Sequence, residues 1–140
     1  MTAKPGAAGR VLVVDDEESL ADLIGEMLLE RGYEVSVAHS VGEAKSILAR
    51  FEFHVALLDM HLPDGTGEDV LLRLSDDGAS TEAIMLTGDR DIENAVACMR
   101  LGASDYLVKP APLAAVETAV AQARERQRLR AEKRSLRPRS

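Results

Sequence analysis

The chain is predicted to fold as an α/β protein: one doubly wound (βα)5 domain, with a five-stranded parallel sheet carrying helices on both faces. Three observations predict it. Short apolar runs alternate five times with amphipathic stretches at helical spacing, and strands alternating with helices imply parallel pairing and right-handed crossovers. The runs are continuously apolar, as strands buried on both sides must be. A length of 140 residues suits one domain with one sizeable core.

Each element has its own signal. Arg10–Val14 is a β-branched run ending in Asp15-Asp16. Leu20, Leu23, Ile24, Met27 and Leu28 recur at helical spacing, and Gly32 stops that helix. Val35 and Val37 mark a second strand over Glu34–Ala38. Ser40 followed by Glu43 opens a second helix, carried by Val41, Ala44, Ile47 and Leu48. His54–Leu58 is a third buried strand ending in Asp59, and the Pro-Asp-Gly stretch from Leu62 to Gly67 reads as a turn. Val70, Leu71 and Leu74 mark a short helix. Ala83–Leu86 is the fourth strand, ending in Thr87-Gly88. Asp91 caps a helix carrying Ile92, Ala95, Val96 and Met99, stopped by Gly102. Ser104–Val108 is the fifth strand, ending in Lys109-Pro110, and Pro112 opens a last helix with Leu113, Val116, Val120 and Ala123.

Composition narrows the function. No apolar run approaches the roughly 20 residues of a membrane helix, and Met1–Gly9 lacks the apolar core of a secretory signal. A cytoplasmic address and no membrane partner are the expectation. Cys98 is the only cysteine, so an internal disulfide and a cysteine-based zinc site are excluded, and it reads as an inert packed thiol. Residues 1–110 carry 9 basic and 21 acidic residues, for a net −12; residues 111–140 carry 8 and 3, for +5. The acidic body repels nucleic acid and suits a cation.

In an open parallel sheet, ligands bind beyond the carboxyl ends of the strands. Four of the five ends present polar residues directly after an apolar run: Asp15 and Asp16, Asp59, Thr87, and Lys109. Together they would gather three carboxylates, a hydroxyl and an ammonium at one sheet edge. Three clustered carboxylates repel unless they share a cation, and oxygen ligands suit a hard ion such as Mg²⁺. A carboxylate there can attack phosphorus, while the ammonium and hydroxyl stabilise phosphoryl oxygens. Taken singly the residues have plainer readings. Asp15-Asp16 could cap the first helix, Thr87 could end a strand, Tyr106 could be a packed aromatic and Lys109 a solvated charge. His39 and His54 read as surface or strand-edge residues, and Asp64 and Gly65 as turn chemistry.

The segments VLVVDDEESL, VALLDMHLPDGTGEDVL, IMLTG and AVACMRLGASDYLVKP resemble, in combination, the receiver domain of two-component response regulators. The last of them resembles receivers that precede ATPase-type transcription activators. The resemblance covers about residues 10–123, leaving 1–9 as an N-terminal tail and 124–140 as a basic helical extension or linker. It implies a flavodoxin-like fold and a phosphoprotein signalling domain, not an enzyme beyond its own phosphoryl transfer and dephosphorylation. It implies that Asp59 accepts a phosphoryl group from a sensor histidine kinase or histidine phosphotransfer protein. It implies Mg²⁺ (or Mn²⁺) held by Asp16, Asp59 and the main-chain carbonyl of His61, with Asp15 acting through water. Thr87 and Tyr106 match the family's switch pair, Lys109 its phosphate-contacting lysine, and the Lys109-Pro110 bond is cis in relatives. Gly88 matches the small residue that admits the phosphoryl group, and the variable positions that set its lifetime fall on His61 and Asp89. The implied partners are an output domain or protein, and a second copy through the fourth helix, fifth strand and fifth helix.

Two other functions are compatible with an aspartate at a strand end. A haloacid-dehalogenase-type phosphohydrolase needs a second aspartate two residues on, where this chain has His61. A metal-dependent nucleic-acid enzyme using Asp89 and Asp91 lacks a matching glutamate at the first strand end. For the basic tail three readings compete: a solvated helix, a linker, and a nucleic-acid contact. The third ranks last because aromatics and a recognition motif are absent, and Leu129 and Leu136 alone do not make a coiled coil.

Overall fold

The computed structural model describes residues 6–76, 80–88 and 92–135. Five strands form one parallel sheet: β1 (Gly9–Val14), β2 (Tyr33–Ala38), β3 (Val55–Asp59), β6 (Glu82–Thr87) and β7 (Asp105–Val108), in the order β2-β1-β3-β6-β7. Between β3 and the next helix the turn-rich stretch closes into a small antiparallel finger, β4 (His61–Leu62) against β5 (Gly65–Thr66). A plain turn was expected there; pairing of His61 with Thr66 makes it a ladder.

The strand residues alternate between two cores, as a pleated strand requires. Leu12, Val14, Ala56, Leu58, Ala83 and Met85 face α2 (Val41–Leu48), α3 (Gly67–Asp76) and α4 (Ile92–Arg100). Val11, Val13, Val55, Leu57, Ile84 and Leu86 face α1 (Glu18–Glu30) and α5 (Leu113–Ser135). Gly32 and Gly102 take positive φ, +91° and +111°, where each helix reverses into a strand. The Lys109-Pro110 bond is cis, as the resemblance implied.

The helix faces differ from expectation in two places. On α4 the buried residues are Ala95 and Cys98, whereas Ile92, Val96 and Met99 are 45, 42 and 37% exposed. Small residues let this helix approach the sheet closely, and that turns the larger side chains outward. Leu23 on α1 is likewise exposed, its place in the core taken by Ala21 and Gly25. Burial also raises the Cys98 thiol pKa, as an inert packed cysteine requires. The cap expected from Asp91 lies outside the described residues, as does Leu136.

The fifth helix runs unbroken past Ala123 to Ser135, and its basic residues meet the body of the sheet. Arg124 Nε donates to the Ala8 carbonyl (3.0 Å), and the buried Gln127 donates through Nε2 to Ser80 Oγ (3.2 Å). Arg130 bonds the carboxylate of Glu82, which is buried at the start of β6, and Arg126 stands 4.0 Å from its other oxygen. Part of the tail's positive charge thus neutralises an acid inside the fold. Arg130→Ala is expected to lower stability to urea by about 1–2 kcal/mol, less than a fully buried pair because Arg130 is half exposed. Glu82→Met, which removes the buried charge itself, should cost less. Equal losses would contradict the pairing.

Candidate functional site

The strand order reverses between β1 and β3, because β1 crosses one way to β2 and then the other way to β3. The crevice at such a reversal is where doubly wound sheets bind ligands. Asp15 and Asp16 follow β1, and Asp59 is the last residue of β3. One carboxylate oxygen from each lies within 4.8 Å of the others. Asp15 is fully buried, Asp59 is 7% exposed and Asp16 is open to solvent.

Lys109, one residue past β7, reaches across two strands to this cluster. Its Nζ lies 2.7 Å from Asp15 Oδ2 and 3.5 Å from Asp59 Oδ1. Burial pushes the ammonium pKa down, but the hydrogen bond and charge of Asp15, with those of Asp59, outweigh it and hold the value above that of ordinary lysine. Asp59 is pushed up to about 6, first by burial and then by the charge of Asp15; Lys109 and the His61 backbone N–H offset part of the rise. Lys109 therefore leaves the cluster short of positive charge. A group of crowded carboxylate oxygens with one exposed member is the donor set a hard divalent cation takes.

Thr87 ends β6, fully buried, and its hydroxyl donates to the Gly88 carbonyl (3.2 Å). Tyr106 pairs with Met85, two residues before Thr87, and packs half-buried against the α4-side core. Alternation places Thr87 on that same face. The His61 side chain is exposed, which leaves its main chain as the part that could face the cluster. The structure therefore brings Asp15, Asp16, Asp59 and Lys109 together and sets Thr87 at the next strand end. Asp89, and the Asp89-Arg90-Asp91 set, lie outside the described residues. Asp15 Oδ1 accepts the Glu17 N–H (2.9 Å) just ahead of α1, whose N-cap residue makes no side-chain cap bond, while Oδ2 meets Lys109.

Two residues around the site, Asp64 and His39, carry more than their sequence readings gave them. Asp64 is more than a turn residue: its two oxygens accept the N–H groups of Val41 (2.8 Å) and Gly42 (2.9 Å) at the start of α2. Those bonds, Gly42 first, hold its pKa below the usual carboxylate range. His39 is not a bare surface histidine, since its Nδ1 lies 2.9 Å from the Asp15 carbonyl, to which it donates. His54 keeps the strand-edge place expected of it, its Nδ1 accepting the Arg10 N–H (2.9 Å) at the end of the sheet away from the carboxylate cluster. No spacing rule marks Asp64, because its partners lie more than 20 positions away. Gly42 is the one available hint, an open first turn on which another side chain can close. The Ser40 cap formed as expected, with Oγ accepting the Glu43 N–H (3.1 Å). The reciprocal bond shifts by one residue, Glu43 accepting from the His39 N–H (2.8 Å).

The chain and its fold have matches among known proteins. The chain is 35% identical over 102 residues to the alginate biosynthesis transcriptional regulatory protein AlgB of Pseudomonas putida, covering 73% of this chain and 23% of that protein. It is 37% identical over 106 residues to the photosynthetic apparatus regulatory protein RegA of Cereibacter sphaeroides, covering 76% and 58%. It superposes on NtrX of Brucella abortus in complex with ATP with a TM-score of 0.87 at 27% identity, covering 95% of this chain and 30% of that one. The chain thus spans about a quarter of AlgB and somewhat over half of RegA. The response regulator receiver domain family matches residues 11–121, and the chain belongs to that family.

Proposed function

We propose that this chain accepts a phosphoryl group on Asp59 from a phosphohistidine of a sensor kinase or phosphotransfer protein and passes the change to an output domain or partner. The observation that carries this reading is the Asp15–Asp16–Asp59 cluster bridged by Lys109. A carboxylate oxygen of Asp59 attacks phosphorus, the phosphorus–nitrogen bond breaks, and the electron pair returns to the imidazole, which takes up a proton. Lys109 is placed to neutralise charge on the transferring oxygens. Asp16, Asp59 and the His61 carbonyl would hold Mg²⁺ or Mn²⁺, with Asp15 acting through water. When bound, that ion supplies charge neutralisation at the phosphoryl oxygens. The Thr87 hydroxyl gives up its bond to the Gly88 carbonyl to meet the new phosphoryl oxygens, and Tyr106 turns inward behind it. Later hydrolysis of the acyl phosphate resets the domain.

A cleft of about 300 Å³ beside Lys109, lined by Leu20, Ile24, Leu86, Pro110 and Val116, offers the phosphodonor an apolar seat. The exposed Ile92, Val96, Met99 and Leu101 on and after α4 supply apolar area for an output partner, or for a second copy through α4, β7 and α5. The extension over residues 124–140 leads toward such an output, and direct nucleic-acid binding by it is not proposed. No described helix is long and apolar enough to cross a membrane; a cytoplasmic site of action is part of the proposal.

Incubation with an acyl phosphate and Mg²⁺ should add one phosphoryl mass per chain, and a chelator should abolish the gain. Steady release of phosphate with no covalent adduct would favour a phosphohydrolase instead.

A further inference from the structure

A chain of hydrogen bonds joins the two segments that meet at the carboxylate cluster, and it runs through the first turn of α2. It starts at the Asp15 carbonyl, which accepts from His39 Nδ1 (2.9 Å). The His39 N–H donates to Glu43 Oε2 (2.8 Å), and Glu43 lies on α2. At the same helix end the N–H groups of Val41 and Gly42 donate to the two oxygens of Asp64 (2.8 and 2.9 Å). Asp64 sits at the tip of the β4–β5 finger, three residues past His61.

The finger has other anchors: the Met60 N–H beside it donates to the Leu86 carbonyl of β6 (3.0 Å), and the His61 N–H bonds the Asp59 carboxylate. The Gly67 N–H donates to the Met60 carbonyl (3.1 Å), and the Thr66 N–H donates to Asp69 Oδ2 (3.0 Å). Both lie at its base. At its tip it closes on α2: a Cβ on Gly65 would come within 3.0 Å of Val41 Cγ2, and one on Gly42 within 3.4 Å of Asp64 Oδ2. Of these side-chain bonds, the Thr66–Asp69 one reaches only the adjoining α3, whereas the Asp64 pair ties the tip to α2. A buried charge is not what makes this bond matter, since Asp64 is exposed. Its consequence is geometric: two N–H groups fix the carboxylate in both position and rotation.

We propose that Asp64 is a positioning residue for the cation site: clasped by α2, it fixes the finger and so the main chain at His61 relative to Asp15 and Asp16. The proposal rests on the receiver reading, which assigns the His61 carbonyl to the ion. Partners that orient ligands without touching a metal commonly govern its affinity by about 10–100-fold.

The test is Mn²⁺ affinity, read from loss of the free-ion paramagnetic resonance signal, in wild type, Asp64→Ala, Asp64→Asn and Ser40→Ala. Ser40→Ala removes a cap bond from the same helix end without touching the finger, so it reports what loosening α2 does alone. Asp64→Ala is expected to weaken binding by about 10-fold. Asp64→Asn, which keeps one acceptor oxygen, should fall between it and wild type, and Ser40→Ala should bind within about 2-fold of wild type. The backbone amide resonances of residues 60–62 should move in Asp64→Ala and not in Ser40→Ala. Unchanged affinity in Asp64→Ala overturns the proposal, as does equal weakening in Ser40→Ala. Failure of the wild type to bind Mn²⁺, or binding indifferent to Asp16→Asn and Asp59→Asn, overturns the receiver reading itself and the clasp with it.

Discussion

Gly67→Ala should destabilise the fold by about 3 kcal/mol, near the upper end of the range for overpacked positions. Gly67 opens α3 with an ordinary negative φ, so backbone freedom is not the reason for glycine. Space is the reason. A Cβ there would sit inside van der Waals contact of the Asp59 carbonyl oxygen and 2.9 Å from Met85 Cε. The methionine end can move, but the carbonyl belongs to the last residue of a central strand. It stays put unless β3 shifts against β6, whose register pairs Asp59 with Leu86. Urea unfolding measures the loss. A loss under about 1 kcal/mol, in the range of ordinary surface changes, would mean that the α3 start yields more easily than its contacts indicate. The same substitution should weaken phosphoryl acceptance in the folded fraction, because the displaced backbone is that of Asp59, the proposed nucleophile.

Asp59→Asn should have the opposite effect on stability. With metal removed by a chelator, the variant is expected to be more stable than wild type by about 2 kcal/mol at pH 7. In the folded chain Asp59 keeps its proton up to about pH 6, whereas its ordinary value is 3.8. The fold therefore opposes this ionisation. Wild-type stability falls as pH rises from about 4 to about 6, and the full penalty is present above that window. Asparagine carries no such charge, so its advantage should be near zero at pH 4 and reach its limit by pH 7. A shift of this size, already net of the contacts to Lys109 and the His61 N–H, corresponds to about 3 kcal/mol, and solvent screening at the open side of the cluster reduces it. Saturating Mg²⁺ should shrink the gap, since binding stabilises the wild type alone. A variant less stable than wild type at pH 7 without metal would contradict the described charge balance.

Both effects arise where the chain concentrates its chemistry, and that region was largely legible beforehand. Strand positions followed from continuous β-branched runs, and the polar residues placed directly after them could only emerge at one sheet edge. That is why Asp15, Asp16, Asp59 and Lys109 were readable as a set. The α4 face was misread because helical spacing treats Ile92, Val96 and Met99 as core, while close packing on the sheet selects Ala95 and Cys98. Periodicity reports which residues share a face, not which of two apolar faces is buried. Asp64 and His39 escaped because their roles depend on partners brought together by the crossover from β2 through α2. Local composition shows a turn and a surface histidine in either case. The contacts of the basic tail with the body were not legible for a related reason. Net charge does not reveal that Glu82 is buried, so nothing local announced a need for Arg130 and Arg126.

The central claim is that Asp59 is the nucleophile, and residue-level trapping tests it most directly. Wild type treated with an acyl phosphate and Mg²⁺ is quenched with borohydride, which reduces an aspartyl phosphate to homoserine, and then mapped by peptide mass. The account predicts homoserine at position 59, absent when metal is chelated and absent in Asp59→Asn. Homoserine at Asp15 or Asp16, or phosphate retained on a histidine with position 59 unmodified, would contradict it.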